Sequence, residues 1–155
     1  MRICFTLAAL NNQDILSGDV SNTYLNANNL ETYHVEVNNS YLFEPSAVGR
    51  RAQIMRVIHG MKSSGNSWRL HLSNIAECQL GLKQCYADND VWMHPSRNKK
   101  GDNVYNYICI YVDDILICSA NPKEHTSVLG VYVNLKPASV GSSKRYLGTD
   151  IKKIV

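Results

Sequence analysis

The sequence has no apolar run approaching the roughly 20 residues that a membrane-spanning helix needs, so no such span is expected. It has no Cys-x-x-Cys pair, and its five cysteines, Cys4, Cys78, Cys85, Cys109 and Cys118, are odd in number. That pattern argues against a zinc site and a disulfide framework. The cysteines read as reduced, mostly core residues of an intracellular protein, cytoplasmic or nuclear. No charge of one sign dominates: 16 Lys and Arg against 13 Asp and Glu leave a formal net charge of +3. Such a balance permits a nucleic-acid partner without demanding one. There is no internal repeat and no low-complexity segment. The opening MRICFTLAAL begins like a signal peptide, but its apolar run is short and breaks at Asn11-Asn12 without a cleavage site, which argues against secretion.

What is present is a globular composition. At 155 residues and 45% hydrophobic, the chain is long enough for one domain with a real core. Its basic residues cluster at Arg50, Arg51 and Arg56, at Arg97, Lys99 and Lys100, and at Lys144, Arg145, Lys152 and Lys153. Ile3, Leu7, Leu10 and Ile15 recur at near-helical spacing, which predicts a helix within residues 2–16. Residues 32–37 alternate polar and apolar as a strand does, and residues 52–58 read as another. Trp68, Leu72 and Ile75 form the apolar stripe of a helix that opens near Ser63 and stops at Gly81. A turn at Asp88-Asn89-Asp90 precedes a short strand at residues 91–93 and a polar loop at residues 95–102. Asn121-Pro122 opens a third helix, Asn as cap and Pro at the first helical position. Residues 137–143 read as a loop and residues 145–151 as a last strand. This order points to an α+β architecture, an antiparallel sheet with helices packed on one face.

The chemistry centres on residues 105–120. Two runs rich in Tyr, Ile, Val and Cys flank the adjacent carboxylates Asp113 and Asp114. Each run reads as a buried strand, so the pair sits at the tip of a hairpin. Two like charges among apolar neighbours are costly unless compensated, and a divalent cation with hard oxygen ligands is the usual compensation. An ordinary solvent-facing Asp-Asp turn is the plainer reading. Asp19 closes another candidate strand. If the sheet sets the two strands side by side, three carboxylates converge, an arrangement suited to two Mg²⁺ ions about 4 Å apart. Spacing alone does not establish this, since Asp14, Asp88, Asp90, Asp102 and Asp150 are equally acidic.

Tyr111-Val112-Asp113-Asp114 resembles the Tyr-x-Asp-Asp box of reverse transcriptases. The text around it, YICIYVDDILICSANPKEH, resembles copia-type retrotransposon polymerases in particular. Four more segments resemble that family in the same order: DVSNTYLN from Asp19, HGMKSSGNSW from His59, ADNDVW from Ala87 and YLGTDI from Tyr146. The resemblance implies a palm-type antiparallel sheet with part of the fingers and no thumb, spanning residues 1–155. It implies RNA-directed DNA polymerase activity within a retrotransposon polyprotein, on a primed RNA or DNA template with deoxynucleoside triphosphates. Asp19 and Asp113 would ligate two Mg²⁺ ions (or Mn²⁺ in their place), helped by the Val20 carbonyl, with Asp114 beside them. Tyr24 would sit under the sugar and reject a 2′-hydroxyl; on residue type alone it is a core aromatic. Ser63, Ser64 and Gly65 would lie along the incoming nucleotide. The match departs from the family at Ser63, where Gln is usual, at Gly65 for Pro, at His59 for Tyr and at Thr23 for Ala. Two other readings stand beside the polymerase: a truncated, catalytically inactive transposon remnant, and a non-catalytic nucleic-acid-binding module built on the basic clusters.

Overall fold

The computed structural model describes residues 2–38, 41–142 and 145–151. In chain order come a helix, Arg2–Leu10 (α1); a strand, Asp14–Asp19 (β1); strands His34–Glu36 (β2) and Arg51–Gln53 (β3); and a helix, Ser64–Asn74 (α2). Strands Lys83–Gln84 (β4), Val91–Arg97 (β5), Asn103–Tyr111 (β6) and Asp114–Ser119 (β7) follow, then a helix, Pro122–Tyr132 (α3). Gly141–Ser142 (β8), Arg145–Tyr146 (β9) and Thr149–Asp150 (β10) complete the order. The fold is α+β. The chain divides into two compact units: Tyr24–His71, and Met1–Thr23 combined with Leu72–Val155. No helix among the described residues is long and apolar enough to cross a membrane.

The larger unit is built on a six-stranded sheet in the order β4-β5-β6-β7-β1-β8, its paired strands antiparallel. Its helices cover both faces, not one as the element order suggested. Cys4 and Ala8 of α1 pack with Val91, Tyr107, Cys109, Leu116 and Cys118, the side chains of one face. Because side chains alternate along a strand, Asn106, Ile108, Ile115 and Ile117 point to the other face. There α3 lies against β7 and β1, with its Leu129 fully buried. Double coverage is why Ile115–Ser119 is buried at every position and why β6 and β7 read as continuous apolar runs.

The helix expected within residues 2–16 ends at Leu10. Asn12 takes a left-handed φ of 52°, its N–H donates to the Ala9 carbonyl and the Gln13 N–H to that of Ala8. That double cap satisfies the last carbonyls and frees Asp14 to begin β1. Strand β5 runs on through Pro95 where a loop was expected, because β4 pairs only with Trp92 and Met93 and leaves the Pro95 edge needing no N–H. The expected strand over residues 52–58 is only the short β3. The expected strand over residues 145–151 is instead a tight hairpin of β9 and β10, turning at Leu147 and Gly148 with φ of 44° and 76°. The expected turn at Asp88–Asp90 is present, closed by the Val91 N–H on the Asp88 carbonyl. Trp68, Leu72 and Ile75 are buried, and α2 continues through a π-helical turn, Ile75–Gln79, before Gly81. Asn121 holds the cap position of α3 with Pro122 behind it, but its side chain donates to Glu124 and does not cap the backbone. Of the last basic cluster, Lys144, Lys152 and Lys153 lie outside the described residues.

A polar side chain is buried in the apolar sheet. Asn106 is buried; its Oδ1 accepts from Gln13 Nε2 at 3.3 Å, and its Nδ2 lies 3.1 Å from His125 Nε2. With Oδ1 already accepting, Nδ2 donates and His125 Nε2 accepts, so the imidazole is neutral. Burial lowers the His125 pKa below its ordinary 6.5. A depressed histidine leaves stability intact above the unfolded value and removes it as the pH falls toward the folded one. Melting temperature should therefore drop between pH 7.5 and pH 5.5, and drop less in His125→Gln, whose amide oxygen still accepts from Asn106. Parallel pH profiles for the two proteins would refute the assignment.

Candidate active site at the hairpin tip

The β6–β7 hairpin turns through two residues, since Tyr111 pairs with Asp114 and leaves Val112 and Asp113 as the loop. Such loops need a positive φ at the first position to match the strand twist. Val112 supplies it, with φ of 53°, although a β-branched residue is strained there. Strand β1 pairs with β7 over six residues, from Asp14 opposite Ser119 to Asp19 opposite Asp114. The Val20 N–H then donates to the Asp113 carbonyl at 2.8 Å, tying the end of β1 to the tip. Thus the sheet sets Asp19 and Asp114 directly across from each other, with Asp113 next in the turn. All three are half-buried. The Val20 carbonyl accepts from the Thr23 hydroxyl at 3.0 Å.

The segment after α3 contributes residues that sequence reasoning missed. Asp19 is flanked by Lys136 and Ser139. The Asp19 N–H donates to Ser139 Oγ at 2.8 Å, and its carbonyl accepts the Lys136 N–H at 2.8 Å. Its Oδ1 lies 2.6 Å from Lys136 Nζ. That last contact is a close ammonium–carboxylate ion pair, and it sets the Lys136 charge against the buried Oδ1. Nothing in the sequence marked Lys136: it is one lysine before a proline, outside every basic cluster. Other carboxylates lie elsewhere. Asp14 pairs with Lys99 at 2.7 Å, and Asp88 shapes its own turn by accepting the Asp90 N–H.

The electrostatics follow from this crowding. Burial first, then the charges of Asp113 and Asp19, raise the Asp114 carboxyl above its ordinary range, with Lys136 pulling the other way. The contact with Asp19, reinforced by the fields of Asp113 and Asp114, keeps Lys136 protonated above its usual range. Three carboxylates against one ammonium leave, when ionised, an excess of two negative charges. Hard oxygens with surplus negative charge fit a divalent cation. As the side chains stand, no group of three or more His, Cys, Asp and Glu among the described residues is gathered closely enough to hold a metal; the carboxylates act on the Lys136 ammonium instead.

The other expected residues belong to the unit Tyr24–His71. Tyr24 is half-buried, with the His59 ring edge-on at 4.6 Å. Ser64 is buried, and its hydroxyl donates to the Ile58 carbonyl at 2.6 Å, so it holds the loop before α2. The Ser63 carbonyl accepts the Ser67 N–H, and Gly65 is exposed with open space where a side chain would begin.

A family model described as reverse transcriptase (RNA-dependent DNA polymerase) matches residues 1–155. No curated protein and no solved structure matches the chain.

Two stability tests follow from the site. Val112→Gly removes left-handed strain that exceeds the added chain entropy, so it should stabilise the fold by about 0.5–1 kcal/mol in denaturant titration; destabilisation would contradict the turn assignment. Asp114 has a raised folded pKa, so its ionised form opposes folding at neutral pH. Asp114→Asn should raise the melting temperature at pH 7, and the gain should fade below the ordinary carboxylate value of 3.8. A gain independent of pH would exclude the charge explanation.

Proposed function

The chain belongs to the reverse transcriptase family of RNA-dependent DNA polymerases, and from that premise we propose that it is the polymerase domain of a copia-type retrotransposon polyprotein. In this reading residues 1–155 form a palm with part of the fingers. The reaction is attack of a primer 3′-hydroxyl on the α-phosphate of a deoxynucleoside triphosphate, paired to an RNA or DNA template, with pyrophosphate leaving. The domain acts inside the cell. The observation that carries the reading is the register of β1 on β7, which sets Asp19 opposite Asp114 beside Asp113.

Asp19 and Asp113 would hold divalent cations, with the Val20 carbonyl completing the set. Mg²⁺ or Mn²⁺, when bound, supplies the Lewis acidity that lowers the pKa of the 3′-hydroxyl and balances charge on the triphosphate. Asp114 adds negative potential from the half-buried strand end. Thr23 holds the Val20 carbonyl in direction through its hydroxyl. Tyr24, braced by His59, would meet the sugar and exclude a 2′-hydroxyl. Ser63 and Gly65 would lie along the nucleotide, while Ser64 keeps their loop in shape through Ile58.

Primer extension on a poly(rA)/oligo(dT) template tests this. Extension with Mg²⁺ or Mn²⁺ should fall by about a hundredfold or more in Asp113→Asn and Asp19→Asn, the scale of several kcal/mol of charge stabilisation. Equal extension by Asp113→Asn, or none by the folded parent chain on any primed template, would defeat the proposal.

A further inference from the structure

We propose that Lys136 is a built-in counter-ion: its ammonium occupies Asp19 Oδ1 when no metal is bound and is displaced when a divalent cation arrives. The inference rests on the reading of Asp19 as a metal ligand and adds a residue that competes with the metal.

Three observations carry it. The first is the contact itself, Nζ to Oδ1 at 2.6 Å. An ammonium at that distance takes up part of the oxygen's negative potential, and a second cation beside it is repelled. The second is the unequal exposure of the partners. The Lys136 side chain is 48% exposed and that of Asp19 29% exposed. A flexible, half-solvated ammonium leaves into water at little cost, since exposed ion pairs contribute little. The carboxylate is the fixed partner.

The third is that the backbone around Asp19 is held separately from its side chain. The Asp19 N–H is on Ser139 Oγ, its carbonyl is on the Lys136 N–H, and the Ser21 N–H is on the Asn134 carbonyl at 2.6 Å. Val20 and Leu135 form a bridge between the two segments. None of these bonds uses the ammonium. Lys136 can swing away while residues 134–139 continue to clamp Asp19 opposite Asp114. The clamp keeps the site in shape; the ammonium keeps its charge balanced until it is exchanged.

Mn²⁺ binding to the whole chain, followed by the electron paramagnetic resonance signal of the free ion at low ionic strength, tests the exchange without requiring activity. Lys136→Met should bind Mn²⁺ about two- to fivefold more tightly than the parent, the range that removal of an exposed ion pair allows. Lys136→Arg should bind like the parent, and Asp19→Asn should lose the site. A second measurement uses the unmutated chain: acylation of Lys136 by an amine-reactive ester, read by mass spectrometry, should speed up when Mn²⁺ is added. Equal affinity in Lys136→Met with unchanged acylation would overturn the exchange and leave the metal site standing. Weaker binding in Lys136→Met would also overturn it, showing that Lys136 supports the ligands. Absence of Asp19-dependent binding in every form would overturn both this inference and the two-metal reading beneath it.

Discussion

The pairing of β1 with β7 is the constraint on which the site depends. Six residues of β1 lie against six of β7, and the last pair is Asp19 with Asp114. Nothing about two facing carboxylates favours that register. It is imposed by the rest of the strand, where Ile115 to Cys118 are buried with 1% exposure or less. A slip of one residue would turn every side chain to the opposite face. It would move Leu116 and Cys118 out of the cluster that receives Cys4 and Ala8. The apolar strand fixes the alignment, and the alignment forces the carboxylates together.

Coverage of both faces makes that alignment rigid. With α1 on one side and α3 on the other, β6 and β7 have no solvated face along their buried stretch, and each side chain must fit. A buried polar side chain in β6, Asn106, is tolerated because Gln13 and His125 meet it. It links Gln13, in the segment after α1, to His125 of α3 by hydrogen bonds. A buried amide without those partners would cost about 1–3 kcal/mol.

The parts legible in the sequence were those with strong local chemistry. The hairpin around Asp113 and Asp114 was readable from β-branched and aromatic residues on both sides. The start of α3 was readable from Asn121-Pro122, and the apolar stripe of α2 from Trp68, Leu72 and Ile75. What failed were boundaries set by tertiary demand. Ile15 continued the helical spacing of α1, yet the left-handed Asn12 ends the helix and returns Ile15 to a strand. Leu147 and Gly148 looked like strand residues and form a turn. Coverage of the second face was invisible, because a helix carries no mark of the sheet face it will meet. Lys136 was invisible for the same reason, since its meaning comes from a partner more than a hundred residues away.

Two features at the tip run against stability: strain at Val112 and the raised Asp114 carboxyl. Local rules broken together, in a sheet that elsewhere obeys them, are what a site selected for chemistry looks like. A plain Asp-Asp turn would give no reason for the third carboxylate, because Asp19 enters from a distant strand. Nor would it explain a cation drawn into the field of all three. The ammonium of Lys136 answers the charge problem only in part, since one positive charge faces three negative ones. A resident that balances the site incompletely, and through an exposed and flexible arm, leaves it stable enough to fold and still short of positive charge. That residual deficit is the physical reason a stronger cation would be drawn to this strand end.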